Sequence, residues 1–333
     1  MALISVTSML VLVLRRIVGT HRQRHHDGLR AAASAVVFDY LDGTATEAQV
    51  RAAAGGRNDI VDELVFEMRE IMRGEGMARL VDLATACGGL DAERQRLRSR
   101  NPSTRAQGVR RLAIYGLDAV PLLQGALRDA NPGVRTVAAL ELTALGAAPP
   151  LATLAELMRV GIDAQAEDLR RIFRRAVAAE TCTAISLVED EWTGEALRIL
   201  LVDGLGFAGD FAALSALSVA VQHTSPDVRA EALRALGNLG HPLAGAVATA
   251  ALDDPDWRVR AQAANCLRRI AADGAAIALE PLLGDEQWWV RFRAAEALST
   301  LGADGQQRLA QAATRGDRAG RIAQLVLAER GLA

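Results

Sequence analysis

The chain has 333 residues, of which 50% are apolar, 23% are charged and 4% are aromatic, and its formal net charge is −2. This composition excludes a disordered chain, which needs low hydrophobicity and high net charge, and it argues against a nucleic-acid-binding module, which carries a basic excess. The length alone allows about two domains of roughly 150 residues. With so few aromatic residues, alanine and leucine must fill the core, and both favour helices over strands.

The N-terminal segment is predicted to anchor the chain in a membrane. Ala2 to Leu14 is an uninterrupted run of apolar or small residues, and Arg15 and Arg16 follow it. A signal peptide has its positive charge before the apolar run, so this order favours an anchor whose basic flank stays in the cytoplasm. The run is shorter than the roughly 17 residues that span a bilayer, so a buried N-terminal helix is the alternative. We predict an inner-membrane anchor helix at residues 1–20, with the N-terminus outside.

Residues 21–99 are predicted to form atypical helical pairs that cap a repeat array and join it to the anchor. Two apolar stripes at helical spacing support this prediction: Ile60, Leu64, Met68 and Ile71, then Leu80, Leu83 and Ala84. Asn58 and Asp59 precede the first stripe and are predicted to cap its helix.

From residue 100 to residue 333 the sequence repeats with a step near thirty residues. A Val-Arg pair recurs at one constant step, and each time an alanine and a leucine follow it on the same helical face: Val228-Arg229, Val259-Arg260 and Val290-Arg291. Earlier copies start near Arg105 and Val134, and weaker ones near Leu169 and Thr193 (in the place of the arginine). With a last, partial copy from Gly320, these make about seven units.

Each repeat unit is predicted to be a pair of helices. Glycine closes the first helix, a second apolar helix follows, and Asp, Asn or Pro marks the turn into the next unit. Such a pair buries its apolar faces only by stacking on its neighbours. The sequence therefore predicts an all-α fold, an α-solenoid of stacked antiparallel helix pairs.

The repeat units resemble HEAT repeats of the short, PBS-lyase-like type, in which an aspartate comes shortly before VRxxAxxxL. Here the segments are DANPGVRTVAALEL, DPDWRVRAQAANCL and DEQWWVRFRAAEAL. The resemblance covers residues 100–333 and implies a HEAT-like superhelix. Together with the predicted anchor, the layout resembles bacterial inner-membrane HEAT-repeat proteins. The fold by itself implies little about function, because unrelated proteins use it as a scaffold.

The most regular polar feature is an arginine at the same position of successive units, with an acid at the turns. The arginines are Arg105, Arg135, Arg229, Arg260 and Arg291, and the acids are Asp129, Asp254 and Asp285. A guanidinium pairs well with a carboxylate, so we predict a structural ladder that fixes the stacking of the units. Recognition of a phosphate or an acidic ligand is the alternative.

Two further sets of arginines are candidate binding surfaces for a partner protein or anionic lipid. The first set is Arg170, Arg171, Arg174 and Arg175, and the second is Arg94, Arg96, Arg98 and Arg100. The alternative is a solvated face balanced by nearby acids: Asp91, Glu93, Glu167 and Asp168. Nucleic acid fits poorly, because no aromatic residues interleave with either set to stack on bases.

Aromatic side chains concentrate in two successive turns near the C-terminus, at Trp257, Trp288, Trp289 and Phe292. Trp is over-represented in binding hot spots, which makes these residues candidates for partner contact. The alternative is packing, since Trp257 and Trp288 share a repeat position and could cover the seam between units. Trp289 is not repeated and is therefore the stronger candidate for contact.

The sequence offers no positive evidence for catalysis. It has no His-Glu dipeptide of the kind that holds iron in HEAT-type hydroxylases, and no GxSxG or phosphate-loop motif. The cysteines Cys87, Cys182 and Cys266 lack metal-ligand spacing and are predicted to be buried thiols. We therefore predict a non-catalytic scaffold without a cofactor. Its expected partner is another protein, and a membrane complex is one candidate for that partner. The alternatives are an enzyme or accessory of the bilin-lyase or hydroxylase class and a DNA-binding solenoid.

Overall fold

The computed structural model describes residues 23–69, 71–159, 167–272 and 274–331. These residues form α-helices and short 3-10 helices, and no strand occurs among them, so the all-α prediction is confirmed for this part of the chain. The predicted anchor at residues 1–20 lies outside the described residues. Within the described ranges, no helix is both long enough and apolar enough to cross a membrane.

The chain divides into two compact units, Met1–Ala147 and Ala148–Ala333. The helices of the first unit are residues 23–41 (α1), Glu47–Ala53 (α2), Asn58–Met68 (α3), Glu75–Ala86 (α4), Gly89–Arg96 (α5), Pro102–Leu112 (α6), Val120–Ala126 (α7) and Pro132–Ala144 (α8), with a 3-10 helix at Ala113–Ala119. In this unit α5 packs on α6, and α6 packs on α8.

The second unit contains two rows of helices. Its elements are Leu151–Met158 (α9), Glu167–Ala179 (α10), Thr181–Glu189 (α11), Glu195–Ala208 (α12), Leu214–Ala220 (α13), Pro226–Leu239 (α14), Ala244–Ala250 (α15), Trp257–Ile270 (α16), Ala275–Leu279 (α17), Trp288–Thr300 (α18), Gly302–Ala313 (α19) and Arg318–Arg330 (α20), with 3-10 helices at Phe211–Ala213, Ala251–Asp253 and Glu280–Gly284.

The rows of the second unit are built from the repeat pattern. Helices α10, α12, α14, α16, α18 and α20 pack in succession, and the odd-numbered helices from α9 to α19 form the other row. In α16 the predicted stripe of Val259, Ala263 and Leu267 is fully buried. Gly240 ends α14 in the left-handed conformation, with φ of 70°, which glycine adopts without steric cost. The second unit is therefore the predicted HEAT-like stack of helix pairs.

Two details of the predicted cap region are wrong. Helix α3 begins at Asn58, and Arg57 occupies the N-cap position, so Asn58 and Asp59 do not cap it. The predicted apolar stripe of α3 includes Ile71, but this residue lies beyond the end of the helix and its side chain is 82% exposed.

The weak repeat unit predicted at Thr193 has a different register. Arg198 is the fourth residue of α12, as Arg229 is of α14 and Arg260 of α16. It therefore precedes Arg229 by the same repeat step that separates Arg229 from Arg260. In this unit Leu201 stands where the other units have alanine, so the repeat step from Arg198 to Arg229 is hard to recognise in the sequence. The alignment that puts Thr193 in the place of the arginine is therefore wrong.

Candidate functional site

The repeated arginines bind both their own turn and the next one. Arg229 donates from Nε and Nη2 to the two carboxylate oxygens of Asp254, with both N···O distances 2.8 Å. Its Nη1 donates to the carbonyl oxygens of His223 and Thr224 at 3.0 and 2.9 Å. One guanidinium thus holds two successive turns together.

The same bidentate pairing joins Arg105 to Asp129 and Arg260 to Asp285. The hydrogen bond from Arg105 is the main reason that the pKa of Asp129 lies below its usual value. Arg135 and Arg291 donate from Nη1 to carbonyl oxygens of the turns that precede their own helices. All the arginines of the predicted ladder therefore make contacts with inter-helix turns.

Arg198 belongs to the same series, but no carboxylate among the described residues accepts a hydrogen bond from it. It donates to the carbonyl oxygens of Val188, Asp190 and Thr193, and among the described residues its buried Nε has no hydrogen-bond partner. The residue at the position of Asp254, one repeat earlier, is His223. His223 Nδ1 accepts from the backbone N–H of its turn, as the aspartates do, and burial lowers the pKa of its imidazole.

A second polar network is centred on Asp203 of α12, whose side chain is 1% exposed. Its carboxylate accepts hydrogen bonds from Arg174 at 2.8 and 3.1 Å and from Arg234, and Arg170 Nη1 lies 3.1 Å away. Arg234 also donates to the carboxylate of Glu231, and Arg170 Nη1 lies 3.6 Å from Glu231 Oε1. Burial alone would raise the pKa of Asp203, but the hydrogen bonds from Arg174 and Arg234 outweigh it and hold that pKa below its usual value.

Two glycines of α12 let its neighbours come close enough to share Asp203. A Cβ at Gly204 would lie 2.8 Å from Val177 of α10, and one at Gly206 would lie 2.5 Å from Ala235 Cα of α14. Both distances are shorter than real Cβ contacts, so only glycine permits this packing. The narrow spacing brings arginines from both neighbouring helices onto one carboxylate.

The four arginines of α10 do not form one surface patch, contrary to the prediction. Arg170 and Arg174 turn toward Asp203, and the Arg174 guanidinium also lies 5.2 Å from the ring centroid of Phe207. Arg171 and Arg175 are exposed, and Arg171 lies 3.9 Å from Asp168. The helical period explains the division, because residues one apart in sequence lie on different faces.

An open groove of about 440 Å³ lies on the exposed side of the α14, α16 and α18 helices. We call it the Trp257–Trp289 groove. Its lining is formed by Arg170, Asp227, Ala230, Glu231, Arg234, Trp257, Arg258, Ala261, Gln262, Trp289 and Arg293. The structure thus brings together three candidates from separate parts of the sequence: one of the α10 arginines and two of the C-terminal tryptophans.

The aromatic residues at the groove have different environments. Trp257 and Trp289 line it and are 37% and 52% exposed, whereas Trp288 is not part of the lining. Trp288 stacks on Phe292 with ring centroids 5.1 Å apart, and Trp289 meets the edge of Trp288 at 4.8 Å. Trp257 and Trp288 therefore do not share one role, although they share a repeat position.

The lining also carries a polar group without a partner. Gln262 Oε1 is buried and, among the described residues, accepts no hydrogen bond. Arg258 donates to Asp227 at 2.7 Å and to Asp256 at 2.9 Å, and Arg293 donates to Glu296 at 2.8 Å. Sequence reasoning missed Gln262. The signal was its position, one repeat step before Arg293 and one helical turn from Arg258.

The second predicted arginine set lies in the first unit and is divided as well. Arg94, Arg98 and Arg100 are exposed, whereas Arg96 bonds Glu93, whose side chain is 2% exposed and therefore not part of a solvated face. Asp62 is buried near Glu93. Burial raises the pKa of Asp62 to about 6 and that of Glu93 to about 7. This buried acid pair has no counterpart in the sequence predictions.

The remaining candidates for chemistry are dispersed. In the described part of the chain, no three His, Cys, Asp or Glu side chains cluster so that they could hold a metal ion. Cys87 and Cys266 are buried as predicted, but Cys182 is exposed on α11, so that prediction is wrong for this residue. Burial is the main cause that raises the pKa of the Cys266 thiol to about 12.

The family of HEAT repeats matches residues 245–328. Within this range the chain is similar to HEAT repeats. The matched range runs from α15 to α20 and includes the ladder residues Arg260, Asp285 and Arg291. No curated protein matches the sequence.

Several solved structures match this chain at low sequence identity and with TM-scores below 0.5. The karyopherin Kap121p, bound to the extreme C-terminus of the protein phosphatase Cdc14p, is 15% identical with a TM-score of 0.47, over 91% of this chain and 41% of the karyopherin. Human deoxyhypusine hydroxylase is 19% identical with a TM-score of 0.34, over 82% of this chain and 96% of that protein. An engineered protein is 18% identical with a TM-score of 0.39, over 89% and 98%. This chain spans about two fifths of the karyopherin's length.

Proposed function

We propose that this protein is a non-catalytic scaffold that binds another protein through the Trp257–Trp289 groove. The observation that carries the proposal is the groove itself, where two exposed indoles and four guanidinium groups meet on a rigid stack of helices. Trp and Arg dominate binding hot spots, and a preformed surface loses little conformational entropy when a partner binds.

The lining chemistry supports binding rather than catalysis. The groove's carboxylates, Asp227 and Glu231, are each paired with an arginine, which leaves neither placed as a general base. The buried Asp203 beneath them is held by three arginines. Such pairing stabilises the ionised carboxylates and fixes the wall of the groove.

Co-precipitation with a matched control tests this function. The full chain, a Trp257→Ala/Trp289→Ala variant and a Trp192→Ala variant are used to isolate partners from native cells, and the captured partner is then titrated with each purified variant. Trp192 is the control, because it is 92% exposed and lies outside the groove. We expect the double variant to bind at least about 30-fold more weakly, the effect of losing a hot spot of about 2 kcal/mol. Equal loss in both variants, or no loss, contradicts the proposal.

We further propose that residues 1–20 tether the scaffold at the cytoplasmic face of the inner membrane, with the N-terminus outside. The support is the apolar run from Ala2 to Leu14 followed by Arg15 and Arg16. Membrane fractionation of the full chain and of a variant without residues 1–20 tests the tether. The full chain is expected in the membrane fraction and the shortened chain outside it; the same fraction for both removes the proposal.

A further inference from the structure

We propose that the Trp257–Trp289 groove binds a proline-rich segment of the partner protein in the polyproline II conformation. In the bound state two prolines, separated by two residues, pack on the two indoles, one on Trp257 and the other on Trp289. This inference rests on the proposed function and names the chemistry of the partner.

The charged side chains of the groove balance one another, which favours an uncharged occupant. Every guanidinium of the lining already has a carboxylate partner: Arg170 and Arg234 pair with Asp203, Arg234 also pairs with Glu231, Arg258 pairs with Asp227 and Asp256, and Arg293 pairs with Glu296. A charged segment gains little here, because its ion pair would replace one that the protein makes already. The groove therefore offers a ligand neither a positive nor a negative end.

The two indoles provide apolar area and hydrogen-bond donors in the same place. Trp257 is the first residue of α16 and Trp289 is the second residue of α18, so both lie in the first turns of neighbouring helices. Neither indole N–H donates to another residue of the described chain, and both side chains are partly exposed. Trp288 and Phe292 pack against Trp289, with ring centroids 4.8 and 6.1 Å away, and hold its indole in place before a partner binds.

A proline-rich main chain complements such donors. Proline has no N–H, and a polyproline II chain makes no internal hydrogen bonds, so its carbonyl oxygens remain available as acceptors. A helix bonds most of its carbonyl oxygens internally, and a β-strand brings as many N–H donors as acceptors. The polyproline II conformation also forms before binding, so a segment of this kind loses little entropy in an aromatic-lined groove.

The spacing of the helices fits one turn of polyproline II. Packed helices lie about 8–10 Å apart. A polyproline II chain has about three residues per turn and rises about 3.1 Å per residue, so one turn spans about 9 Å. Residues three apart in the segment therefore face the same side and reach the first turns of α16 and α18. Ala230 and Ala261 leave room beside the indoles because their side chains are short. The expected motif is two prolines separated by two residues, without a required charge.

Selection of random 12-residue peptides displayed on phage tests this inference, with the purified full chain as bait. We expect enrichment of peptides in which two prolines are separated by two residues. The most enriched peptide is then synthesised, and its Kd for the full chain is measured. Alanine in place of either proline of the motif should weaken binding about tenfold or more, whereas alanine at one of the two intervening residues should change the Kd less than about twofold.

Variants of the protein place the peptide in the groove. Trp257→Ala and Trp289→Ala should each weaken binding about tenfold or more, and Trp192→Ala, which is exposed outside the groove, is the matched control. Trp257→Phe and Trp289→Phe keep an aromatic ring but lose the indole N–H, and should weaken binding about threefold or more. Thermal melting identifies any alanine variant that fails to fold, and its phenylalanine counterpart then decides the test. Because the peptide forms no ion pair, its Kd should change less than about threefold between about 50 and about 500 mM salt.

The outcomes separate this inference from the proposed function. Enrichment of peptides without the proline pair, a strong dependence of the Kd on salt, or undiminished binding by the tryptophan variants overturns the proline-rich segment. If an enriched peptide without the proline pair still loses binding in the tryptophan variants, the groove binds protein and the scaffold function stands. No enrichment at all also overturns the inference, and the co-precipitation with the tryptophan variants then decides whether the scaffold function stands.

Discussion

His223 occupies the place of a ladder aspartate, so replacing it with aspartate should stabilise the second unit. Arg229 and Arg260 each bond a carboxylate of the next turn, whereas the buried Nε of Arg198 has no partner among the described residues. The positive charge of Arg198 already lowers the pKa of His223, after the larger effect of burial, so the two groups interact. In His223→Asp, a carboxylate can accept from Arg198 Nε and still cap its own turn.

The expected gain follows from the ladder contacts. A hydrogen bond to a charged group contributes about 1.5–3 kcal/mol, and the cost of burying the new carboxylate opposes it. Glu195, which bonds Ser225 of the same turn and acts on the pKa of His223, adds repulsion. The net gain in the free energy of unfolding should therefore be about 1 kcal/mol, and larger in the His223→Asp/Glu195→Gln variant, which removes the repulsion.

Urea unfolding measures this gain for the whole chain. Amide hydrogen exchange in α12 and α14 measures it locally, which matters because a repeat protein need not unfold in one step. His223→Asn is the matched control, since it caps the turn without a charge and should give no gain. The hydrogen bond should lower the pKa of the introduced carboxyl group in the folded state, so the gain is present at pH 7 and is lost as the pH falls through that pKa. Equal stability of the Asp and Asn variants at pH 7 would refute the reasoning.

Three further predictions concern buried positions. Asp203→Asn should lower the free energy of unfolding by about 3 kcal/mol in urea titrations, because three arginines lose their shared charge, and an unchanged midpoint would contradict this. Gly206→Ala should cost about 1–3 kcal/mol because its Cβ meets the α14 backbone at 2.5 Å, whereas Gly125→Ala, which has open space on α7, should gain up to about 1 kcal/mol; thermal melting compares the two. The pKa of Glu93 in the folded state is about 7, above its usual 4.5. The free energy of unfolding of the first unit should therefore fall by about 2 kcal/mol as the pH rises from 4.5 to 7, and then level off. Thermal melts at several pH values measure this slope, and Glu93→Gln should flatten it.

The repeat step in the sequence predicts how the helices pack, but it does not predict the groove. It places Val259, Ala263 and Leu267 on one buried face. The same step also relates Arg198 to Arg229 and Asp203 to Arg234. These relations follow because each unit repeats the contacts of the one before it. Leu201 in the alanine position hid the α12 register, and with it the place of Asp203.

The groove could not be predicted from the same pattern. Arg170 of α10 reaches Glu231 of α14 past the intervening α12, a contact across more than one repeat step. That reach depends on the interhelix distance, which the glycines of α12 set and a one-dimensional pattern does not contain. Burial of Glu93 likewise depends on how α5 packs on its neighbours, since its sequence surroundings are those of a solvated helix.

The glycines of α12 link the stability of the stack to the shape of its binding surface. Gly204 and Gly206 bring α10 and α14 close to α12, and Asp203 then holds Arg170 and Arg234 at the α14 end of the groove. A change at Asp203 should therefore weaken both folding and binding, so it cannot separate the two. The rim residues Trp289 and Arg293 are exposed or half-buried and lie outside this network. Substitutions of Trp289 or Arg293 leave Asp203 and its arginines in place. A loss of partner binding in such a variant therefore reports on the contact with the partner itself.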